Sequence, residues 1–477
     1  MHGAPGVVSV SRPRPRPVAA LPWRLFENIT LVLLLVALLL FRSDVETLSL
    51  TAASRFTTFV AILTTVIVVR GAPRGMWSPS SVFFVILVLF HVGLVAAYGL
   101  GRTPTAHFEK TAELWLYRRS TTVALWVTDL ALVGYAIGVR LTQLRSRAPA
   151  VSDRSEANLD QVVGVTGSLL TMVSVLAWFA VAVGRGGLGV LVAPYGEFLD
   201  LTRGSVLPLT DRLAYFGMVF MAASTQRTKL HRIALAAFAI RAVFELAIGL
   251  RAEVLFPTFA ALTVLASRRI PLRGSRAALL AVALLAAISM IRDLRQVGLR
   301  GASLSALSAN PLDGLAEMGS SLRPVSEVVF WHDLGDPFAD GATYWAPIDR
   351  SLYYVIPGWT RLPIDEDPRV MNNIVMERSG PIGFSIVAEA YRNFAAGGAL
   401  VVLLLVGLLL GRVDTWSNAR ASQCAIGIIM TGLLLHVRNT FVPLPAHFVI
   451  GFAALGAMIV ISRARAERLR PISSSRS

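Results

Sequence analysis

Cysteine is almost missing from this chain, and so is lysine. Cys424 is the single cysteine, which excludes an intrachain disulfide and leaves any extramembrane segment to be held by packing alone. Lys110 and Lys229 are the only lysines, so nearly all of the 45 basic residues are arginine. A GC-rich genome would give the same skew, and arginine as such does not argue for phosphate recognition. The chain has no His-Glu-x-x-His, no paired Cys-x-x-Cys, no glycine-rich phosphate loop and no dinucleotide fingerprint, which removes the usual grounds for a metal, a nucleotide or another cofactor. It has no internal repeat, which disfavours transporters built from repeated halves. Charged residues are sparse, at 16%.

Apolar residues fill the space instead. They make up 55% of the 477 positions, the mean hydropathy is +0.62, and soluble domains seldom carry uncharged runs of this length. A hydrocarbon core about 30 Å thick needs about 20 mostly apolar residues per helix. Windows of that size recur at 25–41, 52–69, 78–99, 120–139, 162–184, 208–224, 233–249, 252–267, 277–291, 395–411, 422–437 and 445–462. The pattern predicts an all-α polytopic membrane protein with about twelve transmembrane helices and one large extracytoplasmic loop. Residues 1–24 are a basic cytoplasmic tail, 25–291 hold helices one to nine, 292–394 form the loop, 395–462 hold the last three helices and 463–477 a second cytoplasmic tail. No small-residue cleavage site follows Leu31–Phe41, so the first span reads as a retained signal anchor.

The net charge of +16 raises the question of nucleic acid, and its placement answers it. With the N-terminus inside, the inner segments hold 24 basic residues against Asp153, Glu156, Asp160, Asp414 and Glu467, or 24 − 5 = +19. Every inner loop follows the positive-inside bias, so the charge is a topology signal and gives no support to nucleic-acid binding.

The loop over 292–394 differs in kind. It has nine arginines and thirteen acidic residues, and Phe330, Trp331, Phe338, Tyr344, Trp345, Tyr353, Tyr354 and Trp359 crowd its middle. Its aromatics read either as the core of an unstapled subdomain or as platforms for sugar rings, with Trp345 and Trp359, beside turn prolines, the better stacking positions. Asp333, Asp336 and Asp340 read as a solvated acidic turn or a cation site. His436 and His447, flanking the last outer turn, read as core or interfacial histidines rather than bases.

Charges inside apolar segments are candidates for function. Arg241 and Glu245, four residues apart in the seventh span, form either a packing ion pair or a working one. Glu27 and Asp129 are read as snorkelling to the interface. Asp44 and Glu46 follow the first span, where lipid-phosphate-dependent glycosyltransferases often keep an acidic motif. The stronger signal is a convergence at the outer boundary, the side where arginine is under-represented. Arg251 follows the turn between spans seven and eight, Arg292 and Arg295 end the ninth, Glu389, Arg392 and Asn393 enter the tenth, and Arg438 ends the eleventh. The guanidinium fork pairs with phosphate oxygens, and such a set suits a lipid-linked pyrophosphate.

The stretch Gly383-Phe-Ser-Ile-Val-Ala-Glu389-Ala-Tyr391-Arg-Asn393-Phe is similar to the outer-loop exit of Wzy-type O-antigen polysaccharide polymerases. Glu317-Met-Gly-Ser-Ser and Gly249-Leu-Arg251-Ala-Glu253 resemble that family too, as does the layout of many spans with one large loop, over about residues 160–460. Arg392 stands where a neutral residue is expected and Ala395 where glycine is. The resemblance implies transfer of a glycan from its polyprenyl-pyrophosphate carrier to a hydroxyl of the next lipid-linked repeat unit, at the outer face of a bacterial inner membrane. Glu389 would be the base or acceptor-orienting group. Arg251, Arg292, Arg295, Arg392 and Arg438, with Trp345 and Trp359, would bind substrate. Membrane lipid, a flippase and chain-length regulators would be partners, with no metal or cofactor. A lipid-glycan ligase and a transporter or flippase are the alternatives.

Overall fold

The computed structural model describes residues 21–102, 115–143, 156–268, 274–301, 307–353 and 356–468, and among these all regular structure is helical. The N-terminal tail to residue 20, most of the 141–160 linker, the end of the C-terminal tail, Tyr354 and the side chain of Glu46 lie outside the described residues.

Four helices open the chain: α1 (Leu21–Leu40), α2 (Leu50–Gly71), α3 (Pro79–Gly99) and α4 (Arg119–Gln143). Five follow: α5 (Glu156–Gly186), α6 (Tyr195–Thr202), α7 (Leu207–Ala223), α8 (Lys229–Ile248) and α9 (Arg251–Ala266). After α10 (Gly274–Val297) come four short helices, α11 (Pro311–Met318), α12 (Leu322–Asp333), α13 (Ala342–Leu352) and α14 (Met371–Ser379). Three long ones close it: α15 (Ile386–Val413), α16 (Arg420–His436) and α17 (Pro443–Arg468).

Burial separates the centre of the bundle from its rim. The apolar windows of α3 and α4 are 83% and 89% buried, that of α1 only 11%, so α1 lies at the rim. With lipid as solvent, helices associate through close backbone approach at small residues rather than by escaping water. The packing of α4 on α15 follows that rule, because each helix carries a Gly-x-x-x-Gly pair, Gly134/Gly138 and Gly407/Gly411. A Cβ at Gly138 would lie 2.2 Å from the Leu404 carbonyl oxygen, and one at Gly407 2.2 Å from that of Tyr135. Neither contact tolerates a side chain.

Each of the twelve expected spans falls on a helix, but fewer qualify as membrane crossings. Eight helices are long and apolar enough, and α6 with α7, bent by 105°, makes a ninth as a broken span. The three expected spans that fall short of these limits are α8, α9 and α16. The α9 and α16 helices have 16 and 17 residues, about 24–26 Å at 1.5 Å per residue, short of the hydrocarbon thickness. The α8 helix is long enough but carries Lys229, Arg232, Arg241 and Glu245. The chain is a multi-pass helical membrane protein with eight to nine candidate spans among the described residues.

Two further expectations change. Neither Glu27 nor Asp129 snorkels. Glu27 pairs with Arg140 at 3.0 Å, and Asp129, 1% exposed, accepts from Thr57 at 3.0 Å. Arg241 and Glu245 do pair, at 2.6 Å, and Asp211 joins the same guanidinium, so the pair is part of a buried network that ties α7 to α8.

The segment between α10 and α15 is docked on the bundle rather than hanging from it. A Cβ on Gly319 would sit 1.9 Å from the Leu94 nitrogen, one on Gly93 2.4 Å from the Leu315 oxygen, and one on Gly314 1.8 Å from the Leu285 oxygen. Arg102 clamps Asp313 with two hydrogen bonds of 2.8 and 3.0 Å. Further out, Asp367, 1% exposed, takes both Arg350 and Arg369. Helix α15 is broken where it leaves this region, with non-helical dihedrals at Phe394 and at Ala395, whose φ is +57°. Residues 386–393 thus form a short helical lead-in to the span.

Candidate active site

Three of the five arginines expected to act together converge on one carboxylate. Arg251 opens α9 and donates to Glu317 of α11 at 2.6 Å. Arg295, near the end of α10, lies 4.0 Å from the same carboxylate, with its guanidinium 3.8 Å from the centroid of the Tyr195 ring. Arg438, in the turn after α16, lies within electrostatic reach of Arg251, Arg295, Tyr195 and Glu317. Burial pushes the Glu317 carboxyl up, but Arg251, Arg295 and Arg438 outweigh it and hold the group below its ordinary range. Arg438 is moved the other way, lowered by burial and by the like charges of Arg251 and Arg295. Three guanidiniums against one carboxylate leave a surplus of two positive charges, which an anion would relieve. Arg251 is 4% exposed, and its Nε and Nη1 have no hydrogen-bond partner among the described residues. The site therefore has donors to spare.

Glycine makes this convergence possible at two turns. Gly249 ends α8 with φ +103°, and a Cβ there would meet Arg295 Cγ at 2.8 Å. The position needs both the left-handed backbone and the empty space. Gly383, at φ +74°, lies close to the Arg438 carbonyl oxygen, which accepts from the Phe384 amide at 3.2 Å. That bond ties the turn after α16 to the residues that lead into α15.

The same turn holds Glu389 on its other side. Glu389 is fully buried, and its Oε2 accepts from the Phe441 amide at 2.6 Å and lies 3.2 Å from His436 Nε2. Its Oε1 has no partner among the described residues. Asn393, one helical turn on, donates to Thr343 Oγ1 at 2.7 Å and to the Glu389 carbonyl at 2.8 Å. Tyr344 packs edge-on against Phe441, and its buried hydroxyl is pushed upward by burial and then by Glu389. The stretch 436–441 thus presents His436 and an amide to the carboxylate and Arg438 to the cationic cluster. A buried carboxylate with one fixed and one free oxygen can take a proton from a bound hydroxyl.

Two expected arginines stay outside. Arg292 turns to its neighbour Asp293 at 2.8 Å. Arg392 donates to the Pro337 carbonyl at 2.9 Å and lies 3.9 Å from Asp336. Trp345 and Trp359 are 51% and 36% exposed, and the Trp359 indole donates to Asp349 at 3.1 Å. The core role in the aromatic group falls to Trp331, at 4%. Asp336 pairs with Arg378, and among the described residues no three His, Cys, Asp or Glu side chains gather to hold a metal ion. Sequence reading gave no role to Glu317, although it stood in a quoted motif, nor to Tyr195, which carried no signal. His436 is buried as expected, but it is also the partner of Glu389.

Residues 370–465 match the family model of O-antigen polysaccharide polymerase Wzy, so the resemblance read from the sequence is borne out there. The match takes in Glu389, Asn393, His436 and Arg438; Arg251, Arg295 and Glu317 fall outside it. The chain is also 26% identical over 259 residues to Protein CapE of Staphylococcus aureus, a match covering 54% of this chain and 57% of that protein. The matched stretch thus spans little more than half of that relative's length. No solved structure matches.

Proposed function

We propose that this chain lengthens a surface polysaccharide by joining polyprenyl-pyrophosphate-linked repeat units at the outer face of a bacterial inner membrane, with both termini in the cytoplasm. One observation carries the reading: across the single 436–441 stretch, a buried carboxylate with a free oxygen stands beside an arginine cluster with free donors. The polymerase-family match over that stretch supports it.

In this reading Arg251, Arg295 and Arg438 hold the pyrophosphate of the donor, and Glu317 keeps their guanidiniums apart and aimed. The acceptor hydroxyl gives its proton to Glu389 as its oxygen bonds to the anomeric carbon. The bond from that carbon to the phosphate oxygen breaks, and the diphosphate leaves with the electron pair. Fixed donors aimed at the charge that grows on the departing oxygen are the main source of rate. His436 and the Phe441 amide orient the carboxylate. Trp345 and Trp359, both exposed, stack sugar rings of the growing chain. Because the leaving group is already activated, no nucleotide is called for. A flippase and chain-length regulators would be the partner proteins.

The test is the lipid-linked product profile of a deletion strain carrying Glu389→Gln. Single repeat units should reach the outer leaflet and stop there. Long chains left on their carrier would mean a ligase, and single units held on the inner leaflet a flippase.

A further inference from the structure

Away from the arginine cluster, two adjoining cavities meet at the end of α1. The larger, about 850 Å³, lies within the roughly 300–1,000 Å³ of small-molecule sites and is lined by Arg42, Trp126, His332, Asp333, Phe338 and Tyr391, among others. The smaller, about 280 Å³, is walled mainly by apolar side chains such as Leu38, Phe41, Phe56 and Leu125. Val45 and Trp126 line both, so the two are neighbours across a shared wall. We infer that together they form a second binding site, for a membrane amphiphile with an uncharged saccharide head and an apolar tail.

The chemistry of the walls selects this class. Arg42 and Asp333 give the larger cavity one charge of each sign, with no surplus for a phosphate, unlike the cluster around Glu317. Hydroxyl groups both donate and accept, and they match a lining that offers a guanidinium, a carboxylate, an imidazole and a phenol. Trp126, Phe338 and Tyr391 add ring surfaces for the apolar faces of a sugar. The tail cavity sits between α1, α2 and α4, and Phe41 and Phe56 beside it are 61% and 41% exposed on the rim of the bundle. Its entry is thus from the bilayer side, which favours a lipid-borne ligand over a free sugar.

The backbone keeps the room open. The break in α15 at Phe394–Ala395 comes where that helix lines the larger cavity, and Ala395, Ala396 and Gly397 leave the wall low. A Cβ on Gly397 would meet nothing within 4 Å. Tyr391 lies two residues from Glu389, about 200° around a helix of 3.6 residues per turn, so this site is on the far face of α15 from the proposed active site. The inference does not depend on the polymerase reading.

The full chain in phosphatidylcholine nanodiscs is photolabelled with an alkyl glucoside carrying a diazirine at the end of its tail, and labelled peptides are mapped by mass spectrometry. The control probe is the same diazirine alkyl chain ending in an alcohol. The glucoside should label residues 37–57 and 122–129 saturably, and the alcohol only without saturation. Gly397→Leu, whose Cβ meets no neighbour and whose isobutyl group extends from the cavity wall, should cut glucoside labelling at least tenfold with the thermal midpoint unchanged, and Asp333→Asn should also weaken it. Equal labelling by both probes, or full labelling of a folded Gly397→Leu variant, overturns the inference.

Discussion

At the scale of single residues, the arginines separate into two groups that sequence position alone did not distinguish. Charge-assisted hydrogen bonds contribute about 1.5–3 kcal/mol each, and losing one donor to a developing oxyanion costs about 10²–10³ in rate. Arg251→Ala, Arg295→Ala and Arg438→Ala should each slow polymer formation by about that factor, with single repeat units stalled on the outer leaflet. Arg→Lys keeps the charge without the fork and should restore only part of it. Arg292→Ala and Arg392→Ala should leave chain length near wild type, because each side chain already serves a local partner. A leaflet-resolved assay of lipid-linked units checks all five, and equal loss in both groups would sink the assignment. Glu317 gives a pH test. Its folded value is depressed below the ordinary 4.5, so its contribution to stability is complete above that pH and is lost as pH falls through the lower folded value. Thermal midpoints in nanodiscs should therefore drop below about pH 4.5 in the parent and less steeply in Glu317→Gln. Parallel curves would mean that Glu317 does not titrate with the fold.

At the scale of elements, the break in α15 explains a departure seen first in the sequence. Ala395 stands where the resembling family led us to expect glycine, and its φ of +57° is one that L side chains rarely adopt. Such a residue stores on the order of 1–3 kcal/mol, so Ala395→Gly should raise the thermal midpoint, whereas glycine inside an unbroken helix would lower it. A lower midpoint would show that the break is not strained. The docking of the loop helices makes a second test. Gly319→Ala places a methyl group against the Leu94 backbone nitrogen, and overpacking of this kind costs about 1–3 kcal/mol. The variant should expose residues 299–385 to protease and lose activity while the spans stay intact; unchanged protection would mean that the helices dock through other contacts. Much of this was legible beforehand. Apolar periods marked every long helix, and arginine on the under-represented side marked Arg251, Arg295 and Arg438. What could not be read was partner choice. Arg292 and Arg295 share a face by spacing, yet one turns to Asp293 and the other to Tyr195 and Glu317. That depends on where α6 and α11 come to rest. The role of His436 was hidden for the same reason, since 47 residues separate it from Glu389.

At the scale of the whole molecule, the quantity to measure is how many helices cross. Hydropathy alone gives twelve segments, while length and charge admit eight or nine among the described residues. The two counts differ at α8, α9 and α16. Arg251 at the start of α9 bonds Glu317, and Arg438 just after α16 lies within electrostatic reach of Arg295 and Glu317, so both short helices end at the cluster. A helix of 16 or 17 residues can still cross if it is shielded by neighbours or the bilayer thins around it. The apolar residues of α16 are largely buried by protein, with Cys424 fully so, which removes most of the cost of its shortness. We therefore expect all twelve to cross, with 292–394 outside and 268–276 inside. Cysteine scanning on a Cys424→Ser background tests this directly, because Cys424 is the only cysteine and is buried, leaving little background label. A membrane-impermeant maleimide should label cysteines placed at exposed positions such as Leu334 and Trp345 in intact cells, and cysteines at 268–276 only after permeabilisation. If cysteines in the 249–250 turn or the 439–442 turn label only after permeabilisation, α8 and α9 or α16 do not cross, and the count falls toward the eight or nine that length and charge allow.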